Sequence, residues 1–230
     1  MNETPGAEAT HVPRQENSHD RSEELLSAAL RYAEDQHWDV VPGTWTETGD
    51  GAGAQRCSCG DAACRAPGAH PARRDWQAAA TSGPTTVRRM WAKHPRAAVL
   101  LPTGRAFDVV DVAEDAGCLA LARLERERTE PGPVAATPDR RIHFFVLPGA
   151  TAKVLEGLHA LGYVSPAALD LGVRGEGGWV AAPPTRFGTS GSVQWVRRPT
   201  VSNTWLPDVA DLISTLAYAC GRERIAARRR

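Results

Sequence analysis

Four residues within a span of fourteen, Cys57, Cys59, Cys64 and His70, have the side-chain types that hold a soft metal ion. They lie in Cys57-Ser58-Cys59-Gly60-Asp61-Ala62-Ala63-Cys64, closed by Pro67-Gly68-Ala69-His70-Pro71. Three thiolates and one imidazole suit a closed tetrahedral zinc site, structural because protein fills all four positions and leaves none for water. Gly60 and Gly68 let the chain fold around an ion. The competing reading is a flexible loop with three surface thiols, and the C-x-C spacing is tighter than the common C-x₂-C. The remaining two of the five cysteines, Cys118 and Cys220, fall on apolar helical faces, where buried inert thiols are expected. An odd count with three packed into eight residues does not read as a disulfide framework.

A second set is cationic. Arg174, followed by Gly175, Gly177 and Gly178, could bring a guanidinium and backbone amides to a phosphate. A glycine-rich turn carrying a surface arginine is the alternative. Arg140, Arg141 and Arg186 are candidates to line the same cleft, or to be solvated surface. The tail, 221–230, carries five arginines in its last nine residues. It reads either as a contact for nucleic acid or an acidic partner, or as a frayed helix end favoured by its dipole. Trp91, Trp179, Trp195 and Trp205 offer rings for base stacking, with core packing expected for most of them.

The elements that must position these residues follow from hydrophobic spacing. Asp20 or Ser22 caps a first helix, on which Leu25, Leu26, Ala29, Leu30 and Ala33 recur at helical intervals. Trp38–Val41 reads as a strand stopped at Pro42-Gly43, and 46–75 as a long loop holding the cysteines. A short helix covers Thr85–Lys93. Strands are expected at Ala97–Leu101, Phe107–Val112, Val134–Ala136, Ile142–Leu147, Trp179–Ala182 and Val193–Val196. Helices are expected at Glu114–Arg128 (on Leu119, Leu121, Ala122 and Leu124), Ala150–Leu161 and Leu206–Ala219. Helices and strands alternate without a strict βαβ rhythm, so the fold class is α+β. Residues 1–20 form a polar, disordered lead-in, 21–220 one domain with 57–70 as an inserted loop, and 221–230 a basic tail.

With 27 Lys+Arg against 27 Asp+Glu among 230 residues, the chain has no net charge and no global field to gather nucleic acid or an anionic membrane. Only Lys93 and Lys153 are lysine. This bias reads as codon pressure in a G+C-rich genome, not as arginine chosen for phosphate. Hydrophobic residues make up 42%, which excludes a wholly disordered chain. No apolar run is long enough to span a membrane, and the N-terminus lacks a signal-peptide core, so the expected compartment is the cytoplasm.

Several stretches in order resemble one family. They are Ala28–Val41 with its Trp38-Asp39-Val40-Val41-Pro42, the Cys-rich loop, Trp76…Ala80-Thr81, and Val87–Trp91. Then come Val99-Leu100-Leu101-Pro102-Thr103-Gly104, Phe107–Val112, and Gly175-Glu176-Gly177-Gly178-Trp179-Val180-Ala181-Ala182-Pro183-Pro184-Thr185. Over about residues 22–196 the chain resembles the bifunctional DNA primase/polymerase N-terminal (prim-pol) domain of the archaeo-eukaryotic primase superfamily. The resemblance implies an RRM-like catalytic mixed sheet with flanking helices, and two-metal nucleotidyl transfer with Mg²⁺ or Mn²⁺. It also implies three catalytic motifs, and all three depart here. The Asp-x-Asp strand reads Asp111-Val112-Ala113. Aligning Phe144–Pro148 places Ile142 where a histidine belongs, with His143 one residue off and turned to the other face unless a bulge re-aims it. Aligning Arg174-Gly175 places Gly172 where an aspartate belongs, with Asp170 displaced by about 6–7 Å along a strand.

Three functions stay open. One is a prim-pol-like domain that has lost its chemistry and binds single-stranded nucleic acid, nucleotide or a protein partner, with Asp111 a relic acid. Another is an active primase/polymerase using rearranged acids, Asp108, Asp111, Glu114 and Asp170 with His143. The last is a zinc-stabilised protein-interaction domain, which the neutral net charge favours. With no helicase segment expected after residue 230, a replication role is expected to need partners in trans.

Overall fold

In the computed structural model, residues 18–48, 55–200 and 205–227 are described. Disorder was expected through residue 20, but residues 18–20 already belong to the first helix; residues 1–17 and the last three arginines of the tail lie outside the described residues. The first helix, α1 (Ser18–Asp35), is followed by β1 (Val41–Pro42) and the hairpin β2 (Thr46–Thr48) with β3 (Gln55–Cys57). Next come α2 (Trp76–Ala79), α3 (Pro84–Lys93) and β4 (Val99–Pro102). The following elements are β5 (Asp108–Ala113), α4 (Glu114–Glu127), β6 (Val134–Thr137), β7 (Arg141–Val146), α5 (Ala150–Ala160) and β8 (Gly172–Arg174). The chain closes with β9 (Trp179–Ala181), β10 (Gln194–Arg197) and α6 (Val209–Ala227). Among the described residues, no helix is long and apolar enough to cross a membrane.

The segment β5-α4-β6-β7-α5-β8 is a βαββαβ unit whose strands lie in the order β6-β7-β5-β8, all antiparallel, with β10 added beside β6. This is the RRM-like arrangement of an α+β domain. A second antiparallel sheet, β1-β4-β9, combines two strands from the N-terminal part of the chain with the late strand β9. The β5–β7 register runs without a bulge from Asp108 opposite Val146 to Ala113 opposite Arg141.

Two cores lie on opposite faces of the five-stranded sheet. On one face Val110, Val112, Ile142, Phe144 and Val146 pack with α4, α5 and α6. On the other, Val109, Ala135 and Phe145 pack with α1, α3 and the smaller sheet. There the Phe145 ring stacks on Trp38 at 5.6 Å and meets Phe107 and Trp195 at 4.9 and 5.2 Å. Trp91 is buried and donates through Nε1 to the Ala97 carbonyl. Trp205 is exposed.

Three expectations change. β8 and the β2–β3 hairpin lie where loops were expected. The tail is helical through Ala227, because α6 continues past Gly221. In α4 the buried positions are Ala116, Gly117, Ala120 and Leu124, so Leu119 and Cys118 are exposed instead of buried. Small residues win this face because α4 sits very close to the sheet. A Cβ on Gly117 would lie 2.5 Å from Ile142 Cβ. Cys220 is buried as expected, and burial pushes its thiol up to about 12.

This close approach makes Gly117→Ala an overpacking change, expected to destabilise the fold by about 1–3 kcal/mol. In urea unfolding, combining it with Ile142→Ala should recover part of that loss, giving a non-additive double-mutant cycle. Additive effects would show that α4 and β7 do not touch at this point.

Candidate functional site

The cysteine loop is tied to the body by its ends. Gly43 bridges Pro71, and the Thr44 N–H donates to the His70 carbonyl at 2.8 Å. This brings Cys57, at the end of β3, beside His70. The four ligand atoms of Cys57, Cys59, Cys64 and His70 lie within 4.8 Å of one another, with Nε2 of His70 3.4 Å from both Cys57 Sγ and Cys64 Sγ. Tetrahedral zinc, with Zn–S near 2.3 Å and Zn–N near 2.0 Å, needs ligand separations of about 3.4–3.8 Å. His70 Nδ1 lies 3.0 Å from the Pro71 carbonyl, a partner that keeps the proton on Nδ1 and frees Nε2 for a metal. Burial opposes ionisation of Cys57, but backbone N–H groups of Cys59 and Gly68 outweigh it and draw the thiol down to about 6. Burial and the neighbouring cysteines push Cys64 up to about 11. A cation at the centre would relieve that crowding. The residues fit zinc, and the cluster could hold one.

The second site is on β5. Asp108 and Asp111 are three residues apart, so they face opposite sides of the sheet. Asp108 Oδ2 accepts the Gly149 and Ala150 N–H groups, at 2.9 and 2.8 Å, and so caps the N-terminus of α5. Asp111 faces the other way. Directly across it lie His143 on β7 and Gly172 on β8, so the row Trp195–Ala135–His143–Asp111–Gly172 crosses the sheet. The alignment that gave Ile142 the histidine's place does not hold in the register. Ile142 faces α4, and it is His143 that shares Asp111's face without any bulge.

Asp111 is nearly buried and carries two guanidinium groups. Arg141 Nε and Nη2 both donate to its Oδ1, at 2.9 and 2.5 Å. Arg174 Nη2 lies 3.3 Å from its Oδ2. Arg141 Nη1 also binds Asp170 Oδ2 at 2.7 Å, and Nη2 binds the Asp170 carbonyl at 2.9 Å. Burial works against the Arg141 charge, but Asp111 and then Asp170 outweigh it and hold the guanidinium more firmly protonated than usual. The two departures beside Asp111 make this possible. Ala113 stands opposite Arg141 and leaves its side chain free to reach back to Asp111. At Gly172 a Cβ would come within 2.9 Å of Asp111 Oδ2.

His143 is buried, and its Nδ1 has no hydrogen-bond partner among the described residues. Burial lowers its pKa to about 4, against the pull of Asp111 and Asp139 and with the push of Arg174 and Arg141. The imidazole is therefore neutral at pH 7.

The four candidate phosphate-binding arginines are not gathered in one place. Arg141 and Arg174 meet on Asp111. Arg140 pairs with Glu114 at 2.9 Å and Asp115 at 3.6 Å, at the start of α4. Arg186 lines a separate cleft beside α1. The acids of the rearranged-catalysis reading are dispersed as well: Asp108 caps α5, Glu114 holds Arg140, and Asp170 binds Arg141. Among the described residues, the Cys57–His70 set is the one group of three or more His, Cys, Asp or Glu side chains whose ligand atoms converge. The residues around Asp111 do not fit a pair of divalent ions.

The RRM-like sheet carries an acid and a histidine opposite each other on its two central strands, β5 and β7. The sequence model for the bifunctional DNA primase/polymerase N-terminal domain matches residues 29–209, and the chain belongs to that family. No curated protein and no solved structure matches it.

Two expectations follow. Purified protein should carry about one zinc per chain, and Cys59→Ser should lower both metal content and melting temperature, because binding energy at a structural site is folding energy. Metal-free protein of equal stability would show that the cluster is not a zinc site. The second concerns His143. Between about 4 and the ordinary 6.5, the unfolded chain binds a proton here that the folded chain refuses. Stability should therefore fall as pH drops through that window, by up to about 1.4 kcal/mol per pH unit. Urea unfolding at pH 7, 5.5 and 4.5 should show a shallower loss for His143→Gln, and identical slopes would remove His143 from the titration.

Proposed function

We propose that this chain is a primase/polymerase-like domain whose nucleotidyl-transfer chemistry is silent. It serves instead as a binding module for single-stranded nucleic acid or nucleotide, with zinc as a structural metal and any replication role exercised with partner proteins. The observation that carries this reading is the Arg141–Asp111–Arg174 cluster. Mg²⁺ is held through carboxylates together with substrate phosphates. Here the one family acid has a guanidinium on each oxygen, and alanine and glycine stand where two further acids are expected. A permanent internal cation thus takes the electrostatic place of an exchangeable one.

A second reading, active catalysis with rearranged ligands, is favoured by one feature. His143 shares a face with Asp111, and Asp170 is one guanidinium away from it. If Arg141 swung aside, these three groups would border one patch.

Template-directed primer synthesis and extension, with Mg²⁺ and with Mn²⁺, separates the two. No incorporation above an Asp111→Ala control is expected. Metal-dependent extension that vanishes in Asp111→Ala would establish the active alternative.

A further inference from the structure

A cleft of the described residues lies away from Asp111. It runs between α1 and the edge strand β10, floored by the Pro183-Pro184 segment, and has a volume of about 630 Å³. That is the size range of small-ligand sites. Trp195, on its wall, is separated from Asp111 by three strand-to-strand steps, so the two places lie roughly 14 Å apart across the sheet.

The lining is cationic. Arg31, Arg186 and Arg198 border the cleft with Asp35, and Arg21 there pairs with Glu24 at 3.8 Å and donates to the Pro184 carbonyl. This local excess of positive charge stands out in a chain whose net charge is zero. Arg31, Arg198 and Tyr32 line the same cleft. Burial pushes the Tyr32 phenol up, and the two guanidinium groups act in the opposite direction. Arg31 uses one N–H on Ser27 Oγ, which leaves its other donors for a ligand. The Tyr32 hydroxyl accepts from Trp195 Nε1 at 3.0 Å and donates to the Pro183 carbonyl at 2.8 Å, which fixes the indole at the cleft wall. The Trp195 ring is only partly buried, so it has surface to offer a planar group.

Gln36 lines the same cleft. Guanidinium groups for a phosphate and an aromatic face for a base form one consistent set.

We propose that the α1–β10 cleft binds a phosphorylated nucleoside unit, either a free nucleotide or one nucleotide of a single strand. This deepens the binding role proposed above and rests on it, but it places the contact away from the Asp111 cluster.

The test uses the full chain with two probes, ADP by calorimetry and fluorescein-labelled (dT)₁₂ by anisotropy, each at two salt concentrations. The variant is Arg31→Ala/Arg198→Ala, both exposed positions, with Arg198→Glu alone as a second variant. Arg73→Ala/Arg105→Ala is the control, removing two equal charges from exposed positions elsewhere. At least one probe should bind the unaltered chain. The cleft variants should weaken it about tenfold or more, while the control binds like the parent. For (dT)₁₂ the salt slope should fall by about 1.4, at about 0.7 per phosphate contact. Binding of ADP identifies a free nucleotide as ligand, and binding of (dT)₁₂ alone identifies a strand. If the parent binds and the cleft variants bind equally well, the cleft is wrong while the binding role survives. If the control weakens as much as the cleft variant, charge alone is responsible and the site is likewise refuted. If the parent binds neither probe, both proposals fall.

Discussion

Strand β5 is buried on both faces, so each of its six residues is committed to one of two environments. Even-numbered positions send Asp108, Val110 and Val112 toward the helical layer. Odd-numbered positions send Val109 and Asp111 toward the N-terminal unit. A one-residue slip would exchange the two sets and strand both acids. Each acid is instead matched to what its face supplies. Asp108 meets the amides that open α5, and Asp111 meets the guanidinium groups of β7 and β8. The two carboxylates therefore lock the register of β5 from opposite sides. They also tie the strand to the start of one helix and to both neighbouring strands.

That arrangement has an electrostatic logic. A nearly buried carboxylate needs a compensating charge, because desolvation without a partner costs several kcal/mol. An exchangeable metal can supply it when other acids help to hold the ion. Here Arg141 and Arg174 supply it, and alanine at 113 and glycine at 172 leave the room that Arg141 needs. Two acids, Asp111 and Asp170, then balance two arginines, Arg141 and Arg174. The cluster spends both guanidinium groups internally and leaves little positive charge for a phosphate on that face.

How much of this was legible in the sequence depends on how local each feature is. The Cys₃His cluster was readable because its four side chains fall within fourteen residues and its glycines sit at turns. The Asp108/Asp111 parity was readable because period-2 alternation needs only one strand. Which residue opposes Asp111 was not readable. Ile142 and His143 are neighbours, and only the pairing of β5 with β7 decides which of them shares its face. β8 was hidden because it has three residues, one of them glycine, and no alternation to detect. The buried face of α4 was misjudged because leucines were expected inward, whereas close approach to Ile142 selects Ala116, Gly117 and Ala120. Arg141 and Arg174 were candidates either for a phosphate or for solvated surface. Their partner Asp111 lies thirty or more residues away in sequence, and no local pattern announces such a pair.

The same distinction bears on where binding can occur. A chain of zero net charge cannot rely on a long-range field to concentrate an anionic partner, so any affinity must come from local groups within about a Debye length. An arginine already forked onto a buried carboxylate contributes little to that local potential, whatever face it occupies. Only guanidinium groups whose charge is not cancelled at close range can do so. Position in the family fold and availability of charge therefore point to different surfaces. The sheet face brings Asp111 and His143 together, while Arg31, Arg186 and Arg198 line the cleft along α1 and β10. Retaining a fold and moving its contact surface are compatible, because the hydrophobic cores on either side of the sheet do not depend on what the charged rim binds.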